Sequence, residues 1–346
     1  NLREKESIPT GDLFERFATD SKEAKFCAER GSYLRKGIDA QRALKAKNLA
    51  KVQADIESHG GFPTQFGVNL KLSPWANTQW MWGQLAAKLI RFANVTTGKE
   101  SDTLTPEEKR WTPASHYVVT MAPDVGTSTN LNPSMDGKIY GPQFTEDFER
   151  RYEVKDKRRP DLIPLEKEDH RHLRFEIEEG NAMSCAGAFG KMADLVGVPF
   201  IPLMTIYDFF IKRALDQYFY NVYWQSGFIL VGTPSGVTLS PEGAQHSWKS
   251  DLQIPGGITW EPTFAIEMDW IIADAVRRHF TRDNKGREGV LIRAVTRGIE
   301  QKLMLENLKK QARFQNMSDD DIFEQTRHDV LEGGYWLINY EGYEGY

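Results

Sequence analysis

The sequence predicts a doubly wound α/β domain with a mostly parallel sheet, preceded by an N-terminal helical arm. Short runs of β-branched and apolar residues, each about one strand long, alternate with longer segments of helical periodicity. These runs are apolar at both odd and even positions, which is typical of parallel strands that helices cover on both faces. We therefore expect ligands beyond the carboxyl ends of the strands, where such sheets bind them.

The predicted elements follow one another from residue 77 to residue 295. The first helix is indicated by Trp80, Trp82, Leu85 and Leu89, which recur at helical spacing. Residues 97–113 are charged and are expected to form a loop. Helices are predicted over 77–94, 180–196, 206–224 and 262–280. Strands are predicted over 116–122, 198–204, 227–232, 258–260 and 289–295.

Polar segments flank this domain on both sides. Residues 1–75 are expected to form a helical linker arm, residues 76–300 the α/β domain, and residues 301–346 a connector. The first residue is not methionine and the last residues repeat Tyr-Glu-Gly, so we expect further domains before and after the chain. In the connector, three consecutive aspartates follow Ser318. This pattern favours a capped helix start over a metal site.

Composition excludes several function classes. The 346 residues include 44 basic and 49 acidic side chains, and this balance gives no general attraction to nucleic acid or to anionic membranes. No apolar run approaches the roughly 20 residues of a membrane-spanning helix. The two cysteines, Cys27 and Cys185, are too few for a disulfide framework or a multi-cysteine zinc site. We therefore expect a cytoplasmic protein without nucleic-acid, membrane or metal sites of its own.

Generic catalytic motifs are absent from the sequence or incomplete. The segment 187–192 resembles a phosphate-binding loop only faintly, because Met192 stands where a Ser or Thr would hold magnesium. His170 and His172 lie in a strongly charged segment, and we expect both to be solvated surface residues rather than metal ligands. Neither a Gly-x-Ser-x-Gly elbow nor a His-Glu-x-x-His motif occurs.

An acidic residue stands at the entrance to the helix predicted over 180–196. Glu179 separates Ile177 from the small and apolar run 182–186, so the helix that follows must pack in a core. Burial is a common way in which enzymes let a carboxyl group exchange a proton near neutrality. The residues alone leave two interpretations of Glu179 open, a partner of the helix dipole and a functional acid.

Several segments carry a family resemblance. Ile177-Glu178-Glu179, followed by Met183, resembles the opening of the pyrimidine-binding domain in thiamine-diphosphate enzymes of the transketolase and 2-oxo acid dehydrogenase class. Residues 205–217 are similar to the aromatic-rich strand end and helix of that domain. Residues 242–247, Glu-Gly-Ala-Gln-His-Ser, resemble a loop of the pyruvate dehydrogenase branch. Residues 20–34 and 330–337 resemble segments that flank the central pyrimidine-binding region in the homodimeric pyruvate dehydrogenases.

This resemblance implies roles for five residues. Glu179 would bind the aminopyrimidine ring of thiamine diphosphate and act in catalysis. Tyr207 and Phe209 would provide an aromatic face for that ring, with plain core packing as the alternative. His246 would face the substrate as an acid, base or oxyanion partner. Asp124 would lie near the cofactor, with strand-end turn chemistry as the alternative.

The resemblance also implies an activity and partners. The chain would be part of a homodimeric enzyme that decarboxylates a 2-oxo acid, pyruvate first among them, and passes the acyl group to the lipoyl group of an acyltransferase. Nothing in the chain matches the Gly-Asp-Gly…Asn motif that binds magnesium and the diphosphate, so a domain outside this chain would hold both. The loop at His246 is shorter than in the homodimeric enzymes, which leaves the substrate open. Two alternatives remain, a transketolase-like two-carbon transfer and a non-catalytic pyrimidine-domain subunit.

Overall fold

A seven-stranded sheet organises the chain. The computed structural model describes residues 16–94, 103–123, 126, 129–131, 139–140, 171–238, 256–281 and 289–338. The strands are β1 (Val118–Ala122), β2 (Ile139–Tyr140), β3 (His172–Arg174), β4 (Ile201–Ile206), β5 (Phe228–Gly232), β6 (Gly257–Trp260) and β7 (Gly289–Arg293). They lie in the order β2-β3-β1-β4-β5-β7-β6, and every neighbouring pair is parallel. The predicted α/β class is confirmed.

Eight α-helices accompany the sheet in the described ranges. They are α1 (Lys22–Ser58), α2 (Thr78–Asn94), α3 (Pro106–Ser115), α4 (Glu179–Val196), α5 (Leu215–Tyr223), α6 (Ala265–Thr281), α7 (Lys302–Leu308) and α8 (Asp319–Glu332). The Ser318 hydroxyl accepts a hydrogen bond from the backbone N–H of Asp321, which confirms the capping interpretation of the three aspartates. Of these helices, none is both long enough and apolar enough to cross a membrane.

The sheet is covered on both faces. Alternate residues of β5 point to opposite sides, so Phe228 and Leu230 belong to one hydrophobic core and Ile229 and Val231 to the other. Residues of α4 and of the 208–223 region complete the first core. Residues of α2, α3, α6, α7 and α8 complete the second, which also includes Val52 and Ile56 of α1. Because both faces of the sheet are covered, the strands are apolar at both odd and even positions.

The residues between α2 and β1 differ from the prediction. The expectation of a loop over 97–113 is wrong for 106–113, because α3 begins at Pro106. Thr105 and Glu108 form a capping box in which each side chain accepts from the other residue's backbone N–H. Trp111 anchors the helix in the core. The Thr-Pro-Glu-Glu sequence contains this signal, and the high charge of the segment obscured it.

The helix predicted over 206–224 is two elements. A 3₁₀ helix spans Asp208–Ala214 and only then does α5 begin. Asp208 is buried and pairs with the guanidinium of Arg293, with 3.0 Å between Oδ1 and Nε. This contact with Arg293, on a distant strand, holds the start of the segment close to the sheet. The segment forms a 3₁₀ helix there instead of a regular α-helix starting at residue 206.

The burial of His172 also differs from the prediction. The expectation of a solvated surface residue is wrong, because His172 begins β3 and is fully buried. Its Nδ1 lies 3.0 Å from the hydroxyl of Thr120 on the neighbouring strand. Burial, with a smaller contribution from the charge of Arg174, lowers the pKa of His172 to about 3. The ring is therefore a neutral part of the sheet.

We expect His172 to make the fold sensitive to acid. Because its pKa falls from the ordinary 6.5 to about 3 on folding, only the unfolded chain takes up the proton between these values. Stability is thus present above pH 6.5 and is lost as the pH falls, by about 2 kcal/mol between pH 7 and pH 5. Urea unfolding of the wild type and of His172→Phe at both pH values tests this. The variant should lose less stability on acidification, and an equal loss would contradict the prediction.

Helix α4 packs unusually closely on its neighbours. A Cβ added to Gly190 would lie 1.9 Å from the carbonyl oxygen of Gly227, just before β5. The amide of Asn221 on α5 donates to the carbonyl of Met183 at 2.7 Å. At the other end of α4, the amide of Asn48 on α1 donates to the carbonyl of Val196 at 2.7 Å. These contacts fix the direction of α4, and with it the position of its first residue.

The strand order places a topological switch beside β1. The chain reaches β3 on one side of β1 and then crosses to β4 on the other side, and α4 makes this connection. In open parallel sheets the crevice at such a point, outside the carboxyl ends of the strands, is the usual ligand site. The first turn of α4 and the residues after β4 both lie at this edge.

Candidate functional site

Glu179 is the first residue of α4 and lies at the switch point. Its side chain is only 5% exposed, although it carries a carboxylate. The exposed backbone N–H groups of the first helical turn favour a negative charge at this place. The side chain of Glu178, the residue before the helix, makes no capping hydrogen bond. Glu179, the residue predicted from the sequence, is therefore a buried carboxylate at the carboxyl edge of the sheet.

Arg213 is the charged partner of Glu179. Its Nη1 donates to Oε1 of Glu179 at 3.1 Å, and its guanidinium carbon lies 3.6 Å from the ring centroid of Phe210. The Arg213 side chain is 47% exposed, so the pair joins a buried carboxylate to the surface. An arginine stacked on a ring loses little freedom when it forms a hydrogen bond. Arg213 thus orients the carboxylate of Glu179.

Aromatic rings cluster at the end of β4. The rings of Tyr207 and Phe209 are nearly parallel and stacked, with centroids 5.6 Å apart, and Phe209 meets Phe210 edge to face at 4.4 Å. Phe209 is buried and Tyr207 is half-buried. The two predicted aromatic residues therefore lie together, and Phe210 joins them to the Arg213–Glu179 pair.

The Asp208–Arg293 pair lies at the same edge and was not predicted. Both side chains are almost fully buried, and Arg293 is the last residue of β7. Gly232, at the end of β5, makes room for the pair, because a Cβ there would lie 2.7 Å from Oδ1 of Asp208. The available signal in the sequence was Arg293 itself, a charged residue directly after the apolar run 289–292. Removing one partner of such a buried pair costs about 3–5 kcal/mol.

A neutral hydrogen-bond chain crosses the carboxyl edge near β5. The hydroxyl of Thr233 donates to the side-chain oxygen of Gln79, and the Gln79 amide donates to the side chain of Asn130 at 2.7 Å. Gln79 belongs to α2, whereas Asn130 follows β1 in the chain. These hydrogen bonds connect Asn130 to α2 and to the residue that follows β5.

Two predicted site residues lie outside the described residues, namely Asp124 and His246. Their roles stay predictions from the resemblance. Across the described ranges, no group of three or more His, Cys, Asp or Glu side chains is arranged to hold a metal ion. The residues that the structure brings together are thus Glu179, Tyr207 and Phe209, with Arg213 and Phe210 as contacts that sequence reasoning missed.

Comparison with solved structures defines the class of fold. A transketolase mutant from Pichia stipitis superimposes with a TM-score of 0.51, covering 92% of this chain and 38% of that chain, at 13% sequence identity. At this identity the likeness shows the fold alone. No protein-family model matches the chain.

Comparison with curated sequences identifies a more particular likeness. The pyruvate dehydrogenase E1 component of Buchnera aphidicola is 34% identical over 88 residues, which are 24% of this chain and 10% of that protein. The E1 component of Cupriavidus necator is 32% identical over 131 residues, 33% of this chain and 15% of that protein. That of Mycolicibacterium smegmatis is 28% identical over 123 residues, 32% and 13% respectively. The matches therefore span only a small part of these relatives.

Both comparisons agree with the resemblance that the sequence carries. The structural match is to a transketolase fold, and the short curated matches are to pyruvate dehydrogenase E1 components.

Proposed function

We propose that this chain provides the pyrimidine-binding part of a thiamine-diphosphate-dependent enzyme. The enzyme decarboxylates a 2-oxo acid, with pyruvate as the first candidate, and passes the acyl group to the lipoyl group of an acyltransferase. The observation that carries the proposal is the buried Glu179 carboxylate, which Arg213 orients at the switch point of the sheet. The matches to E1 components support the choice of reaction.

The residues present fit the pyrimidine ring of this cofactor. A carboxyl group can bind a ring nitrogen through a hydrogen bond, and Glu179 is a buried carboxyl group at the carboxyl edge of the sheet. The stacked rings of Tyr207 and Phe209 lie at the same edge and offer an apolar surface for a flat ring. A carboxylate beside two aromatic rings therefore suits an aminopyrimidine better than a phosphate or a metal.

Each residue then has a defined task. When bound, thiamine diphosphate supplies the nucleophilic carbon and the electron sink that decarboxylation needs. Glu179 holds a proton at a pyrimidine nitrogen, and its burial keeps water away from that hydrogen bond. Arg213 keeps the carboxylate in one orientation. We further propose that His246 acts on the substrate as an acid, base or oxyanion partner and that Asp124 lies beside the cofactor, as the resemblance implies.

The proposed function also assigns a domain, an arm and a connector to successive parts of the chain. Residues 76–300 form the pyrimidine-binding domain, residues 1–75 an arm from a diphosphate-binding domain, and residues 301–346 a connector to a C-terminal domain. The diphosphate and its magnesium ion would be held by the first of these other domains, across the interface of a cytoplasmic homodimer. The absence of a Gly-Asp-Gly…Asn motif in the sequence supports this division.

Cofactor titration and turnover together test the proposed function. Thiamine diphosphate, with and without magnesium, is titrated by calorimetry into this chain and into the full-length protein with its co-purifying subunits. We expect magnesium-dependent binding only in the second case, together with carbon dioxide release from pyruvate. If neither form binds the cofactor, the proposal fails and a non-catalytic subunit remains.

A transketolase-like two-carbon transfer is the second candidate, because the fold is shared with transketolase. Ketol transfer between sugar phosphates is assayed on the same preparation. Transfer without decarboxylation of pyruvate would replace the first candidate by the second.

We expect Arg213→Ala to lower kcat/KM of the full-length enzyme roughly ten- to a hundredfold, since a misplaced catalytic group has effects of this size. The substitution removes the hydrogen bond to Oε1 of Glu179 and the stacking on Phe210. Lys212→Ala is the matched control, because it removes the same charge from the next position of the 3₁₀ helix. Equal kinetics of the two variants would contradict an orienting role for Arg213.

A further inference from the structure

The 3₁₀ helix Asp208–Ala214 is the segment that brings Phe209, Phe210 and Arg213 to the Glu179 site. Seven residues are long for a helix of this type, since 3₁₀ runs of more than three or four residues are uncommon. The side chain of Tyr207, the residue before it, makes no capping hydrogen bond. Contacts with other elements are therefore needed to fix the path of this helix.

Two ion pairs of opposite polarity hold the 3₁₀ helix, one near each end. Asp208, its first residue, pairs with Arg293 at the end of β7, with 3.0 Å between Oδ1 and Nε. Arg213, its last residue but one, pairs with Glu179 on α4, with 3.1 Å between Nη1 and Oε1. Arg213 can hold Glu179 in one orientation only if the helix that carries Arg213 is itself fixed to the sheet.

The Asp208–Arg293 pair is placed to do this. Arg293 points to the same face of β7 as Leu291, the face that α4 covers, because alternate residues of a strand share a face. The side chains of Asp208 and Arg293 are 5% and 3% exposed. A Cβ on Gly232 would lie 2.7 Å from Oδ1 of Asp208 and 2.8 Å from Cδ1 of Ile211, so the helix lies directly on the end of β5.

Stability alone is a weak reason for such a pair. The cost of taking two charges out of water can exceed their attraction, and apolar side chains of similar volume are often as stable in their place. A guanidinium and a carboxylate differ from apolar groups because they meet in defined orientations. Glu261 is the other acidic group near Arg293, but it is 44% exposed and its Oε1 lies 4.0 Å from Nη1. The buried pair with Asp208 thus supplies direction more than stability.

We propose that Asp208 and Arg293 are positioning residues for the Glu179 site. Their ion pair fixes the 3₁₀ helix on the sheet, and the helix in turn sets the orientation of Arg213 toward Glu179 and the place of Phe209, which follows Asp208 directly. Both residues act through this helix and not by touching substrate or cofactor. The use of the site rests on the proposed function, whereas the positioning is a property of this chain alone.

Double-mutant cycles test the positioning. The coupling free energy between Arg213 and Glu179 is measured by urea unfolding of Arg213→Ala, Glu179→Ala and the variant with both, without cofactor. The cycle is repeated with Asp208→Asn, which keeps the shape of the side chain and removes its charge. We expect the coupling to fall to less than half of its original value. Asp208→Leu combined with Arg293→Met removes both charges, should unfold close to the wild-type urea concentration, and should show the same loss of coupling.

Asp274→Asn is the matched control. The side chain of Asp274 is 6% exposed and pairs with Arg277 and Arg278, but it lies on α6, which covers the other face of the sheet. This variant also breaks a buried ion pair, so its stability should fall while the coupling between Arg213 and Glu179 stays at the wild-type value. A purely structural role of Asp208 would give the same result as this control.

Two outcomes would overturn the proposal. One is equal coupling between Arg213 and Glu179 in the Asp208→Asn, Asp274→Asn and original backgrounds. The other is the absence of coupling between them in the original chain, since nothing would then be positioned. Because no cofactor is added, failure here leaves the thiamine-diphosphate function standing, and failure of the cofactor titration leaves the positioning of Glu179 standing.

Discussion

Glu179→Gln is expected to reduce decarboxylation of pyruvate by the full-length enzyme about 10²–10⁴-fold, the size of effect typical of a lost general acid or base. Glutamine has the same shape, and its side-chain oxygen can still accept the hydrogen bond from Arg213. It cannot release or take up a proton, so the proposed proton transfer to a pyrimidine ring would be lost. Steady-state kinetics with saturating thiamine diphosphate and magnesium measure the effect.

Glu178→Gln is the matched control for this substitution. Glu178 is the neighbouring carboxylate, but its side chain is exposed and contacts Asn181 rather than Arg213. The control should keep nearly full turnover, and both variants should unfold at the temperature of the wild type. Normal turnover of Glu179→Gln would refute the catalytic role of this residue.

Gly190→Ala is expected to destabilise the fold by about 3 kcal/mol or more, at the upper end of overpacking effects. The added methyl group would lie 1.9 Å from the carbonyl oxygen of Gly227. A backbone atom beside β5 cannot move aside as a side chain can, so α4 must shift outward instead. Urea unfolding at neutral pH measures the loss. Because α4 carries Glu179, activity should fall even where the variant still folds.

Gly37→Ala is the matched control in another helix. Gly37 lies in α1, where no atom would come within 4 Å of an added Cβ. Alanine is favoured over glycine inside a helix by up to about 1 kcal/mol, so this variant should be as stable as the wild type or slightly more stable. If Gly190→Ala unfolds at the same urea concentration as Gly37→Ala, the close packing of α4 is not what the structure indicates.

The elements predicted well are those whose pattern is local. The strands β4, β5 and β7 are continuous apolar runs, and the helix α2 has a regular apolar stripe. The short strand β3 has no such pattern, because three residues in a charged segment become a strand only by pairing with β1. The prediction that His172 lies on the surface is wrong for the same reason. Its burial depends on the neighbouring strand and not on its neighbours in sequence.

The sequence by itself determined the α/β class and the helix predicted over 180–196, and its superfamily resemblance predicts a role for Glu179. It could do so because strand runs, helical stripes and short motifs are properties of adjacent residues. Only the tertiary structure decided that Arg213 orients Glu179 and that Asp208 pairs with Arg293. These groups meet because parallel strands bring their carboxyl ends to one edge, whatever the distance between them along the chain.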